Sequence, residues 1–224
     1  MADARPAPAA RLSEITKAYG AIKALRGVSF AISSGEVVGL IGANGAGKSS
    51  LMKVLAGAVT PDSGTIELWG EHATFRRPRD AAKRGIALVP QELQIVATQS
   101  VASNLFMANL PSRGGFISRR ALRQGATELL ARVGLDRISP GTAAGELTAV
   151  EARLVSIAQA LAQEPRILIL DEPSAALPSD IADLLGPLLA DLAARGTAVI
   201  YVSHRLHEIQ RLTQRVFAMR DGGW

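Results

Sequence analysis

Cysteine is absent from the 224 residues. That excludes a disulfide scaffold, a thiolate metal site and a cysteine nucleophile, and it fits a reducing compartment. Aromatic residues make up only 4% of the chain, so the apolar fraction leans on alanine and the aliphatics. No stretch approaches the roughly 18 uninterrupted apolar residues of a membrane span. The first ten residues hold no apolar block fit for a signal peptide, and their Pro/Ala content reads as a short flexible tail over residues 1–10. Charge of one sign is scarce as well: 25 Lys+Arg stand against 20 Asp+Glu. The basic clusters Arg76-Arg77-Pro78-Arg79 and Arg119-Arg120 lack interleaved stacking aromatics, which favours a solvated surface over nucleic-acid binding. The expectation is a soluble cytoplasmic domain.

What is present is globular. Hydrophobic residues make up 48% and charged residues 20%, and the length suits one domain with an inserted subdomain. Short apolar, β-branched runs predict strands over 12–16, 28–32, 37–41, 65–69, 86–89, 167–170, 198–202 and 216–219. Helical periodicity predicts helices over 49–56, 78–84 and 181–194. From about 93 to 161 the pattern is mostly helical (101–107, 119–133 and 150–161), with Gly/Pro joints at 111–115 and 134–145. The continuous apolar runs at 167–170 and 198–202 suit a parallel sheet covered on both faces. An α/β core with a helical insertion follows.

The segment Gly42-Ala43-Asn44-Gly45-Ala46-Gly47-Lys48-Ser49 matches the phosphate-loop pattern GxxxxGK[ST]. From the glycine, lysine and Ser+Thr content of this chain, chance would supply on the order of 0.005 such matches. The loop also follows a predicted strand and opens a predicted helix. Glycines let backbone N–H groups converge on an anion, and the helix start adds its positive dipole end. Gly42, Asn44, Gly45, Ala46, Gly47, Lys48, Ser49 and Ser50 are therefore expected to hold the phosphates of a nucleotide. Lys48 would reach the β- and γ-phosphates, and Ser49 would bind Mg²⁺.

Asp171 and Glu172 end an apolar strand, where open α/β sheets bind ligands. Asp171 would hold the Mg²⁺ shell, and Glu172 would polarise the water that attacks the γ-phosphate. Gln91 and His204 stand at two more strand ends. Gln91 would contact Mg²⁺ or the attacking water, and His204 the γ-phosphate. Tyr19 reads either as an adenine-stacking ring or as a sheet-edge tyrosine.

Phosphate loop, Gln91, Asp171-Glu172-Pro173 and Ser203-His204 stand in the order found in the nucleotide-binding domain of ABC transporters, which the chain resembles over residues 11–224. The resemblance implies an ABC-type P-loop ATPase core with a mainly parallel sheet. It also implies an N-terminal antiparallel β subdomain and an α-helical subdomain inserted at about 93–161. Finer wording resembles the monosaccharide-importer branch: Gly45-Ala46-Gly47-Lys48-Ser49-Ser50-Leu51-Met52-Lys53, Pro61-Asp62-Ser63-Gly64, Gln91-Glu92-Leu93, Ser203-His204-Arg205-Leu206-His207-Glu208 and Arg220-Asp221-Gly222. In that branch two such domains usually lie in tandem, and this chain resembles the first. The implied partners are a second ATPase domain (tandem half or separate subunit), a transmembrane permease and, indirectly, a solute-binding protein. The implied place is the inner face of the cell membrane. The implied activity is ATP hydrolysis driving import, with a hydrolysis-poor regulatory half or an importer for another solute as alternatives.

The chain departs from the family pattern at three places. The signature, usually Leu-Ser-Gly-Gly-Gln, falls at Leu147-Thr148-Ala149-Val150-Glu151. There Thr148 and Glu151 would contact nucleotide held by a partner, while Val150 would obstruct close approach. The same residues also spell a capping box that needs no nucleotide. Ala175-Ala176-Leu177-Pro178 replaces a loop usually written Ser-Ala-Leu-Asp, although Pro178 also suits a helix start. Finally, the strand at 216–219 lies so near Trp224 that a tandem half falls outside the chain.

Overall fold

A computed structural model describes residues 8–108, 112–113, 116–175 and 181–224. Two long strands, β1 (Ala10–Tyr19) and β2 (Ile22–Ile32), form an antiparallel hairpin. β3 (Val37–Ile41) leads through the glycine-rich loop into α1 (Lys48–Leu55). β4 (Ser63–Leu68) and the short β5 (Glu71–Ala73) complete an antiparallel sheet in the order β2-β1-β4-β5. After α2 (Pro78–Lys83) comes β6 (Ile86–Val89). The segment from there to the second acidic strand holds α3 (Val101–Leu105), the hairpin β7 (Ser112–Arg113) and β8 (Phe116–Ile117), and α4 (Arg119–Arg132). A 3₁₀ turn at Ala144–Glu146 and α5 (Ala149–Leu161) close it. β9 (Ile167–Asp171), α6 (Ile181–Ala194), β10 (Ala198–Ser203), α7 (Leu206–Leu212) and β11 (Arg215–Ala218) finish the chain.

The central sheet runs β11-β3-β10-β9-β6, every neighbouring pair parallel. β9 and β10 are buried along their whole length, which explains their uninterrupted apolar runs. Their side chains alternate between two cores with the two-residue period of a strand. Ile167, Ile169, Ile200 and Val202 face the core shared with α1 and the antiparallel sheet. Leu168, Leu170, Val199 and Tyr201 face the core shared with the helices of the opposite side. This parallel α/β core carries an antiparallel β subdomain, and helices lie between β6 and β9, as the resemblance implied.

Several boundaries differ from the sequence reading. Ala9 and Ala10 are fully buried, and Ala9 accepts a hydrogen bond from Trp69 N. The expected tail therefore gives way to buried backbone at Ala9 and to strand at Ala10. β1 and β2 extend beyond the expected 12–16 and 28–32, since their polar ends pair in the hairpin. β5 was not expected. It follows a tight turn in which Trp69 and Gly70 both take positive φ, and only Ala73 of its three residues is buried. β7 falls within the expected joint at 111–115 and pairs with β8 just beyond it, and α7 adds a helix that the sequence pattern does not predict.

Candidate functional site

Five strand ends meet at one edge of the parallel sheet, as expected where helices follow parallel strands. Beyond β3 the loop turns at Gly45 and Gly47, both with positive φ. Gly47 at φ 102° caps α1. A Cβ there would lie 2.4 Å from Ala24 O, and one at Gly42 would lie 2.3 Å from Met219 O. Glycine is thus demanded by close backbone approach as well as by conformation. The loop borders a cavity of about 710 Å³ lined by Asn44 through Ser50, Gln91 and Glu172.

Lys48, the first residue of α1, is almost fully buried. Its Nζ donates to Gly42 O at 2.8 Å and Ala43 O at 3.1 Å, and lies 3.7 Å from Glu172 Oε1. Ser49 Oγ donates to Asp171 Oδ1 at 3.3 Å. Burial at the end of β9 raises the Asp171 carboxyl above its ordinary value. The Ser49 hydroxyl opposes that rise, the nearby Glu172 charge reinforces it and Lys48 offsets part of it. Glu172 sits in the left-handed region at φ 48°, a strained conformation for a side-chain-bearing residue. Its Oε2 lies 3.2 Å from His204 Nδ1, and its backbone N–H donates to Val202 O. The sequence-predicted residues Gly42 to Ser50, Gln91, Asp171, Glu172 and His204 are therefore gathered in one place. Asp171 and Ser49 offer hard oxygen donors side by side, and Gln91 lines the cavity that Ser49 borders. That donor set fits Mg²⁺, which favours oxygen and keeps several of its own waters.

Other predicted residues stand apart. Tyr19 is half exposed at the hairpin tip, with Lys17 Nζ 5.9 Å from its ring centroid. It does not line the cavity, whereas Ile22 and Lys23 of the same hairpin do. Thr148 and Glu151 lie at the start of α5, also outside the cavity. They form the expected capping box: Glu151 N donates to Thr148 Oγ1 at 3.3 Å, and Thr148 N donates to Glu151 Oε2 at 2.8 Å. Arg137 adds a 2.9 Å bond to Glu151 Oε1. These bonds, the Thr148 backbone N–H first, hold the Glu151 carboxyl below its ordinary value. Val150 packs partly against the helical core. Ala176, Leu177 and Pro178 lie outside the described residues.

Some contributors had no local signal. Asp221 and Gly222 wall the cavity from the end of the chain, facing Ala24 and Arg26. Gly222 N donates to Ala46 O, and Arg26 N donates to Gly222 O. Only the Arg220-Asp221-Gly222 wording hinted at a role. Arg153 of α5 is nearly fully buried and donates to the carbonyls of Pro90 and Gln91, while its Nε has no partner. This guanidinium joins the helix that begins at Thr148 to the loop that carries Gln91.

Comparison with known proteins agrees with this geometry. Residues 25–175 match the ABC transporter family. The putative ribose/galactose/methyl galactoside import ATP-binding protein 1 of Rhizobium meliloti (strain 1021) is 44% identical over 211 residues, covering 94% of this chain and 41% of that protein. The ribose import ATP-binding protein RbsA of Chromobacterium violaceum is 44% identical over 208 residues, covering 93% and 41%. The chain thus spans about two fifths of the length of these curated relatives. Among solved structures, an ATP-binding cassette of an ABC transporter in its ADP conformation superposes with a TM-score of 0.86 at 26% identity, covering 96% of this chain and 89% of that one. A dimeric ATP-binding cassette bound to ADP and Pi gives 0.85 at 25% identity, covering 96% and 95%. No helix among the described residues is long and apolar enough to cross a membrane. With its phosphate loop and Glu172 on one cavity, Asp171 bonded to Ser49 and His204 facing Glu172, the chain belongs to the ABC transporter family.

Proposed function

We propose that this chain binds Mg-ATP and hydrolyses it to energise an importer, with a simple sugar as the imported solute. The observation that carries the reading is the convergence of Lys48, Glu172 and His204 at the mouth of the phosphate loop. Converging N–H groups and Lys48 would bind the phosphates, and Ser49, Asp171 and Gln91 would hold Mg²⁺. When bound, that ion would supply positive charge to offset the charge of the phosphates. Glu172 Oε2 would polarise the attacking water, and His204, its Nδ1 3.2 Å from that oxygen, would contact the γ-phosphate. The hairpin of β1 and β2 would seat the adenine beside Ile22 and Lys23, with Tyr19 reaching the base from the hairpin tip, outside the cavity lining. Little covalent chemistry is asked of the protein; positioning and fixed charge supply most of the barrier reduction.

Sugar as the solute is supported by the two relatives named as ribose or galactose import ATP-binding proteins. None of the site residues would touch the solute. Its recognition would fall to a permease, which would hold this chain at the inner face of the membrane, and to a binding protein. A labelled-ribose uptake assay with the complete transporter tests the solute assignment. Hydrolysis itself is tested by Glu172→Gln in a single-turnover assay with protein in excess. The rate should fall about 100-fold or more with ATP binding retained. An unchanged rate would remove Glu172 from the chemistry.

A second reading concerns pairing. In a head-to-tail dimer Thr148 and Glu151 would face nucleotide on the partner. In this chain those residues are occupied in capping α5, and Val150 replaces a small residue between them. That favours an asymmetric pair, in which this chain's own nucleotide is completed by a partner with a better signature.

A further inference from the structure

Glu208 is completely buried in the first turn of α7. A carboxylate in that position is costly unless its oxygens are fully bonded. Three hydroxyls converge on Oε2: Ser174 at 2.6 Å, Tyr201 at 3.0 Å and Ser203 at 3.0 Å. Arg205 Nη1 donates to Oε1 at 3.2 Å. Burial alone would raise this carboxyl, but the hydroxyls of Ser174, Ser203 and Tyr201 and the Arg205 guanidinium outweigh it and hold the group below its ordinary value. The hub is therefore anionic, and every donor points at it.

The placement of those donors is specific. Ser174 lies two residues beyond Glu172, inside the turn closed by Ala175 N donating to Glu172 O. Ser203 directly precedes His204, and its Oγ also accepts a bond from Arg205 N, closing the turn that presents the imidazole. Arg205 directly follows His204. One buried carboxylate thus fastens both backbone turns that carry the facing pair, Glu172 and His204. Glu172 needs such fastening, because its positive φ persists only where the surroundings over-determine it. An apolar side chain at position 208 would fill the same space and leave three buried hydroxyls without an acceptor.

We propose that Glu208 is a positioning residue for hydrolysis, holding Glu172 and His204 in register through Ser174 and the Ser203–Arg205 turn. The proposal rests on the assignment of Glu172 to the attacking water and of the facing His204 to the γ-phosphate. Its logic separates the donors. Ser174 reaches the Glu172 turn, whereas Tyr201 is a mid-strand hydroxyl that braces neither turn.

The test measures single-turnover ATP hydrolysis, ATP affinity and thermal midpoint for the parent chain, Glu172→Gln, Glu208→Gln, Ser174→Ala and Tyr201→Phe. Glu208→Gln should slow hydrolysis about tenfold with ATP affinity within about twofold of the parent. Ser174→Ala should lose several-fold in rate, and together the two changes should cost less than the product of their separate effects. Tyr201→Phe should lower the midpoint without slowing hydrolysis. A merely structural hub would instead lower the midpoint in all three variants and leave the rates alone, which would overturn the proposal. If Glu172→Gln hydrolyses as fast as the parent, the underlying site assignment has failed rather than the role of Glu208. The His204 imidazole signals, from one of only three histidines, give a readout independent of turnover. They should shift in Glu208→Gln and Ser174→Ala but not in Tyr201→Phe, and unmoved signals in the first two would overturn the proposal. Should Glu208→Gln fail to fold, Ser174→Ala carries the decision with the same readouts.

Discussion

Lys48 Nζ stands 3.7 Å from Glu172 Oε1 while donating to the carbonyl oxygens of Gly42 and Ala43. The ammonium is thus held at the mouth of its own loop by two weak dipoles and one carboxylate. A phosphate is the stronger partner for such a cation. Exchanging loop carbonyls for phosphate oxygens requires only rotation of a flexible side chain. The same exchange would free Glu172 to turn towards a water.

Lys48→Ala should therefore lower ATP affinity by about 10- to 100-fold, the loss of one charge-assisted contact. Nucleotide titration by calorimetry reads it directly. An affinity within twofold of the parent would mean that the backbone N–H groups alone hold the phosphates.

Two glycines of the loop should respond differently to alanine. At Gly47 a Cβ would collide with Ala24 O at 2.4 Å, and φ is 102°. At Gly45, φ is 83° but nothing lies within 4 Å. Gly45→Ala should cost about 1–2 kcal/mol of stability from backbone conformation alone. Gly47→Ala should cost more, because the hairpin and the loop must also separate. Urea unfolding of the two variants gives the comparison, and equal midpoints would show that the hairpin yields without cost.

The sequence carried the site wherever the signal was local. The phosphate loop is one contiguous motif, and the acids of β9 end a five-residue run of buried side chains. The short strands were hidden for the opposite reason: β5 buries one side chain of three, so it has no apolar alternation to read. Arg153 and Glu208 were invisible because charged residues usually mark a solvated face, yet both are buried here on polar partners from distant segments. Asp221 and Gly222 reach the cavity through the pairing of β11 with β3 and the bonds of Gly222 to Ala46 and Arg26. Residues brought together by tertiary pairing leave no spacing in the sequence.

The α5 cap makes a pH-dependent contribution with a definite sign. Bonds from the Thr148 backbone N–H and hydroxyl, with Arg137 behind them, depress the Glu151 carboxyl below its ordinary value near 4.5. A depressed acid stabilises the fold above its unfolded value, and that contribution disappears as pH falls through the folded value. Glu151→Gln keeps a cap acceptor but loses the charge. Its stability deficit against the parent should be full at neutral pH and shrink on acidification below about pH 4. Thr148→Ala should cost about 1 kcal/mol by removing the hydroxyl cap itself. Denaturant titrations at the two pH values decide both, and a Glu151→Gln deficit independent of pH would show that the carboxylate charge is irrelevant to the cap.

Val150 is where stability and pairing pull in opposite directions. Its side chain packs partly on the helical core beside Leu147, in the first turn of the helix that a partner's nucleotide would face. Val150→Gly removes that contact and adds backbone freedom, so the thermal midpoint should drop, with about 0.5–1 kcal/mol coming from glycine in the helix alone. The same change opens the backbone for close approach by a phosphate. If this chain's α5 start is what limits a homodimer, Val150→Gly should raise steady-state ATPase at saturating protein despite the lower stability. A stability loss with no gain in turnover, alongside a parent homodimer that already hydrolyses ATP briskly, would eliminate the asymmetric pair. Measuring both quantities on one preparation is what makes the result decisive.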